Sequence, residues 1–62
     1  AVPALIDALS HNDPIVRRWA ATVLGGLGQD AEEATISLTE ALLDSDPGVR
    51  RAAKSALDAI ER

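Results

Sequence analysis

The 62-residue chain has no cysteine, methionine, phenylalanine or tyrosine, and Trp19 is its one aromatic side chain. Without cysteine no disulfide can staple a domain this small, in which folding removes only about 60% of the unfolded chain's surface from water. The same absence fits a reducing compartment, and a cytoplasmic location is the expectation. Without large rings, a 47% hydrophobic composition led by Ala and Leu favours closely packed helices. Basic residues are the minority, six Lys and Arg against ten Asp and Glu, for a net charge of −4. General nucleic-acid binding needs the opposite balance to displace counterions. No apolar run reaches the roughly 18 residues of a membrane span, and no basic stretch followed by an apolar core marks a secretory signal. The first residue is Ala1 rather than Met, on what reads as a helix, so a processed or excised piece of a longer array is expected.

What the chain does have is a repetition. Asp13-Pro14-Ile15-Val16-Arg17-Arg18 returns thirty-three positions later as Asp46-Pro47-Gly48-Val49-Arg50-Arg51. With that offset, 5–28 aligns on 38–61 with ten identities in 24 places. A fixed period of this size is the mark of stacked supersecondary units. The single domain 1–62 then divides into repeat one, 1–29, and repeat two, 30–62.

Four helices are predicted, at about 2–11, 14–27, 31–44 and 47–61, paired into two antiparallel hairpins: an all-α, solenoid-type architecture. Val2, Leu5, Ile6 and Leu9 follow the i, i+3, i+4, i+7 pattern of one helix face, with Pro3 in a first turn. Asp13 and Asp46 are N-cap residues, each followed by a proline at the first helical position. The second helix should bury Val16, Ala20, Val23, Leu24 and Leu27, and Gly28 should close it in a left-handed conformation. Asp30 with Glu33 reads as a capping-box-like start to the third helix, which buries Leu38, Ala41 and Leu42. The fourth turns Val49, Ala53, Ala56, Leu57 and Ile60 inward.

The tract Leu-x-x-x-Asp-x-Asp-Pro-x-Val-Arg-x-x-Ala-x-x-x-Leu, present from Leu38 through Leu57 with slightly varied spacing, resembles HEAT repeats, most of all the short bacterial and archaeal HEAT-like type also found in phycobilin lyase subunits. The resemblance covers both units. It implies a ladder between successive repeats, made by a turn Asp and an Arg of each second helix. The matching pair is Asp44 and Arg50. In the first unit His11 takes the Asp position, facing Arg17, so the ladder is altered there, with Asp13 or Asp44 as the substitute acceptor for Arg17.

No catalytic constellation is present. His11 is the single general base available to four serines, and its neighbour Ser10 is badly placed on a helix. Asp7 and His11, at i, i+4, read as a surface pair at a helix end rather than as metal ligands. Paired carboxylates at 32–33 and 44/46 read as helix-end charges and caps. The glycines at 25, 26 and 28 end a helix rather than follow a strand, so they form no phosphate loop; packing explains the extra Gly26. Trp19 lies about 80° from the centre of the buried stripe at 100° per residue, which places it at the core edge, with a half-exposed binding anchor as the alternative.

The outward face of the second helices holds Arg18, Ala21, Thr22 and Gly25, then Arg51, Lys54, Ser55 and Asp58. Arg17 and Arg50 are assigned to structure. Arg18, Arg51 and Lys54, with Thr22 and Trp19, form the candidate partner-binding set, since guanidiniums suit carboxylates or phosphates. The expected function is a non-enzymatic protein–protein interaction or scaffold module without cofactor. Its expected partners are another protein, neighbouring repeats or a second copy of the chain, through open ends at Val2, Ile6 and Trp19 and at Leu43 and Ile60. The alternative is a fragment of a phycobilin-lyase-like subunit assisting bilin attachment.

Overall fold

The computed structural model describes residues 1–62 and is all-helical, with no strand. Helix α1 spans Val2–Ala8 and α2 spans Pro14–Leu27; a 3-10 segment over Gly28–Ala34 leads into α3, Thr35–Ala41, and α4 spans Pro47–Ile60. Helix α1 packs against α2 and α3 against α4, while the most extensive contact in the molecule joins α2 to α4.

Helices α2 and α4 start in the same way, as the duplicated Asp-Pro requires. Asp13, at φ −83° and ψ 120°, accepts the Ile15 N–H at 2.9 Å. Asp46, at φ −89° and ψ 124°, accepts the Val49 N–H at 3.0 Å. Each extended cap with its carboxylate satisfies an N–H that the helix leaves unpaired, worth about 1 kcal/mol. The prolines sit in the first turn, where no N–H is missed. Helix α2 ends at Gly28, whose φ is +59° as expected, but whose ψ of −135° lies outside the left-handed helical region.

Two predicted helices are shorter than their periodicity suggests. Helix α1 stops at Ala8 rather than 11, because the N–H groups of Ser10 and His11 turn back three residues, to Asp7 and Ala8. His11 therefore stands outside the helix, and Asp7 and His11 do not share a helical face. The segment expected to open the third helix at Asp30 is instead 3-10, with a backbone break at Ala31 (φ −102°, ψ 22°) and no side-chain cap from Asp30 or Glu33. Ala31 and Ala34 are both fully buried there. The kink at Ala31 lets both face the core across the break. Thr35 then anchors the start of α3 by donating to the Glu32 carbonyl at 2.7 Å.

The core is one apolar cluster containing no buried polar side chain. Leu24, Leu38 and Val49 are its largest fully buried members, each stabilising the fold by about 1.5–3 kcal/mol. On α4 the buried set is the predicted one: Val49, Ala53, Ala56, Leu57 and Ile60. On α2 the stripe is rotated. Ala20, Ala21 and Leu24 are buried, Val16 and Val23 are half-buried, and Leu27 is exposed. Ala21 and Gly25, expected on the outward face, are turned toward α4. A Cβ on Gly25 would sit 3.0 Å from the Ala56 Cα, whereas one on Gly26 would meet nothing within 4 Å. Close packing therefore explains Gly25 and not Gly26. Of the proposed open ends, Ile60 is buried, Leu43 is largely exposed to solvent, and Val2 and Ile6 pack against the core.

Candidate functional site

The turns between helices are tied together by one arginine. Arg17, one turn into α2, directs its Nε to Asp44 Oδ2 at 2.8 Å and its Nη2 to Asp44 Oδ1 at 3.0 Å. Its Nη1 donates to the carbonyls of His11 and Asn12 at 2.8 and 2.9 Å. Both side chains of the ion pair are largely shielded, at 15% and 13% exposure. Asp44 Oδ1 also accepts the Asp46 N–H at 2.8 Å. A planar five-donor fork suits this task, gripping one turn by its carbonyls and the next by its carboxylate. Of the two substitute acceptors for Arg17, the structure selects Asp44. Arg50 takes only the Asp44 and Ser45 carbonyls, at 2.7 and 3.2 Å, so the expected Asp44–Arg50 side-chain pair is not formed.

His11 fills the position equivalent to Asp44 in a specific way. Its Nδ1 accepts the Asp13 N–H at 3.0 Å, as Asp44 Oδ1 accepts that of Asp46. The imidazole thus closes the same turn. Arg17 meets the His11 carbonyl and not the ring.

Asp44 is held below the ordinary aspartate value of 3.8, first by the Arg17 hydrogen bonds and then by the Asp46 N–H; the charges of Arg17 and Arg50 add to this, and partial burial opposes it. A carboxyl with a lowered folded-state pKa gives stability that is complete above its unfolded value and lost as pH falls through the folded one. The unfolded chain binds more protons in that window, so stability there rises with pH. Urea unfolding of the wild type and Asp44→Asn is therefore expected to differ fully at about pH 7, with the gap narrowing as pH falls below the ordinary aspartate value of 3.8 toward the lowered folded-state one. A constant gap would contradict the assignment.

The residues chosen for partner binding do not converge on one place. Arg51 and Thr22 border a groove of about 340 Å³ between α2 and α4, floored by Gly25, Ala52, Ala56 and Ala59. The Thr22 hydroxyl donates to the Arg18 carbonyl at 2.9 Å. Arg18 lies elsewhere, its Cδ over Gly48 at the start of α4, in a small hollow with Pro14, Ile15 and Asp46. Lys54 is exposed and faces Asp58 at 3.9 Å, a surface pair worth a few tenths of a kcal/mol. Trp19 is 56% exposed, which overturns the core-edge reading. Sequence reasoning missed the groove floor, because alanines carry no signal of what they face. The thirty-three-residue offset held that signal: Ala21 and Gly25, beside α4, correspond to Lys54 and Asp58, beside nothing.

No helix is long and apolar enough to cross a membrane. No curated protein and no solved structure matched the chain. A family model described as HEAT repeats matches residues 1–58. That span takes in α2, all but the last two residues of α4, both turns and the Arg17–Asp44 tie between them, and the chain accordingly belongs to the HEAT-repeat family.

Proposed function

We propose that the chain is a non-enzymatic protein-interaction or scaffold module of solenoid type, two hairpin repeats divided near residue 30, acting in the cytoplasm and needing no cofactor. HEAT repeats generally mediate protein interaction or scaffolding. The observation that carries the reading is the α2–α4 groove. Its floor is alanine and glycine, which brings a partner's side chains close to the helix backbones, and the Arg51 guanidinium stands at its rim. Such a surface suits an aliphatic side chain followed by a carboxylate, on a protein rather than a nucleic acid, given the net charge of −4. Bilin attachment has no feature of the groove in its favour.

Selection from a displayed library of helical peptides tests this. The wild type should enrich sequences pairing a small or branched aliphatic residue with Asp or Glu. Arg51→Glu should lose the acidic preference, and Ser55→Trp, which fills the groove, should lose binding altogether. If the wild type enriches nothing beyond background, or if both variants enrich the same peptides as the wild type, the groove is not a protein-binding site.

A further inference from the structure

The repeat relates each position on α2 to one on α4, so the contact inside the molecule shows what an added neighbour would meet at either end. Gly48, Ala52 and Ala56 of α4 face α2, and their counterparts thirty-three residues earlier are Ile15, Trp19 and Val23. With Leu27 these form an i, i+4 ridge along the whole of α2, on average about 180° around the helix from Ala21, the residue turned toward α4. Ile15 is 65%, Trp19 56% and Leu27 38% exposed, while Val23 is half-buried. At the opposite end, the counterparts of Arg17, Ala21 and Gly25 are Arg50, Lys54 and Asp58, all exposed. One end of the stack is apolar and the other is charged.

That asymmetry decides how two copies can meet. In head-to-tail stacking, Lys54 and Asp58 of one copy would be pressed onto Trp19 and Val23 of the next, stripping water from charges against an apolar ridge. Arg50 would arrive at His11, which has no carboxylate and whose Nδ1 is already engaged. Trp19 also stands where a close stack needs the small Ala52. The ridge does fit itself. Two α2 helices laid antiparallel about a two-fold axis set Ile15 against Leu27 and Trp19 against Val23, large beside medium, with no charged residue on the ridge.

We infer that the α2 ridge Ile15–Trp19–Val23–Leu27 is the interface of a closed two-fold dimer of this chain. It uses a different side of α2 from the groove and stands independently of the protein-binding proposal. The remaining exposed apolar side chains, Ile36 and Leu43 on and just after α3, lie off this ridge and serve as the control.

Sedimentation equilibrium over a wide concentration range, read together with Trp19 fluorescence, tests the inference. The wild type should pass from one chain mass to two and stop there, and Trp19 emission should move to shorter wavelength in step. Trp19→Asp should remain at one chain mass with unchanged helical circular dichroism. The double variant Ile36→Asp, Leu43→Asp should dimerise as the wild type does. The inference is overturned by a wild type that stays single at every concentration, by masses that keep rising past two chains, or by a Trp19→Asp protein that still dimerises. If Trp19→Asp does not fold, the wild-type emission decides: mass doubling without a spectral shift would place the interface elsewhere.

Discussion

Asp44→Ala is expected to destabilise the fold by about 2–4 kcal/mol, the largest effect of any single polar substitution in the chain. The carboxylate receives two Arg17 donors and the Asp46 N–H. Its removal leaves a guanidinium that is only 15% exposed with two N–H groups unpaired and poorly reached by water. At about 0.05–0.15 kcal/mol per residue, a domain of this length holds only a few kcal/mol in total. The melting temperature should fall by about 8 °C or more, since 1 kcal/mol moves it by about 4–8 °C in a domain this size. A double-mutant cycle with Arg17→Ala isolates the pair: most of the loss should be shared, not summed. An Asp44→Ala protein melting within a degree or two of the wild type would show that the tie between the turns is incidental.

Adjacent glycines should respond with opposite signs. Gly25→Val is expected to cost about 3 kcal/mol, because the new Cβ lies 3.0 Å from the Ala56 Cα and 3.2 Å from its Cβ. The obstacle is backbone, so α2 and α4 must separate along the main contact of the fold. Gly26→Ala meets open space and should stabilise by about 0.5–1 kcal/mol through helix propensity and a less mobile unfolded chain. Thermal unfolding followed by circular dichroism compares the two directly. Both moving the same way would mean that α4 does not lie against Gly25.

Much of the scaffold can be read from residues whose conformational demands are local. The duplicated Asp-Pro announces where α2 and α4 begin, and the apolar spacing of α4 gives its buried face without error. Local rules fail where burial is supplied by a neighbour. Alanine at 21 looks the same to a periodicity argument whether α4 or solvent lies beside it, so the stripe on α2 was centred too far from α4. The 3-10 winding at 28–34 is not legible for a related reason: Asp30 and Glu33 satisfy a local capping rule, while the backbone break falls at Ala31, a buried alanine whose surroundings the sequence does not show. Arg17 reaches an acceptor twenty-seven residues away, and only the fold decides between Asp13 and Asp44. Trp19 was misplaced because its angle put it on a boundary. The candidate binding residues were legible as exposed cations and not as a cavity, since the groove consists mainly of small side chains.

The junction after α2 has a stereochemical consequence. At φ 59° and ψ −135°, Gly28 holds the mirror image of the polyproline-like geometry that ordinary L-residues favour. A side chain there would have ample room; what forbids it is handedness. For one residue the backbone adopts the preferred conformation of the opposite enantiomer, and the path from one hairpin to the next depends on the only amino acid that has no chirality of its own.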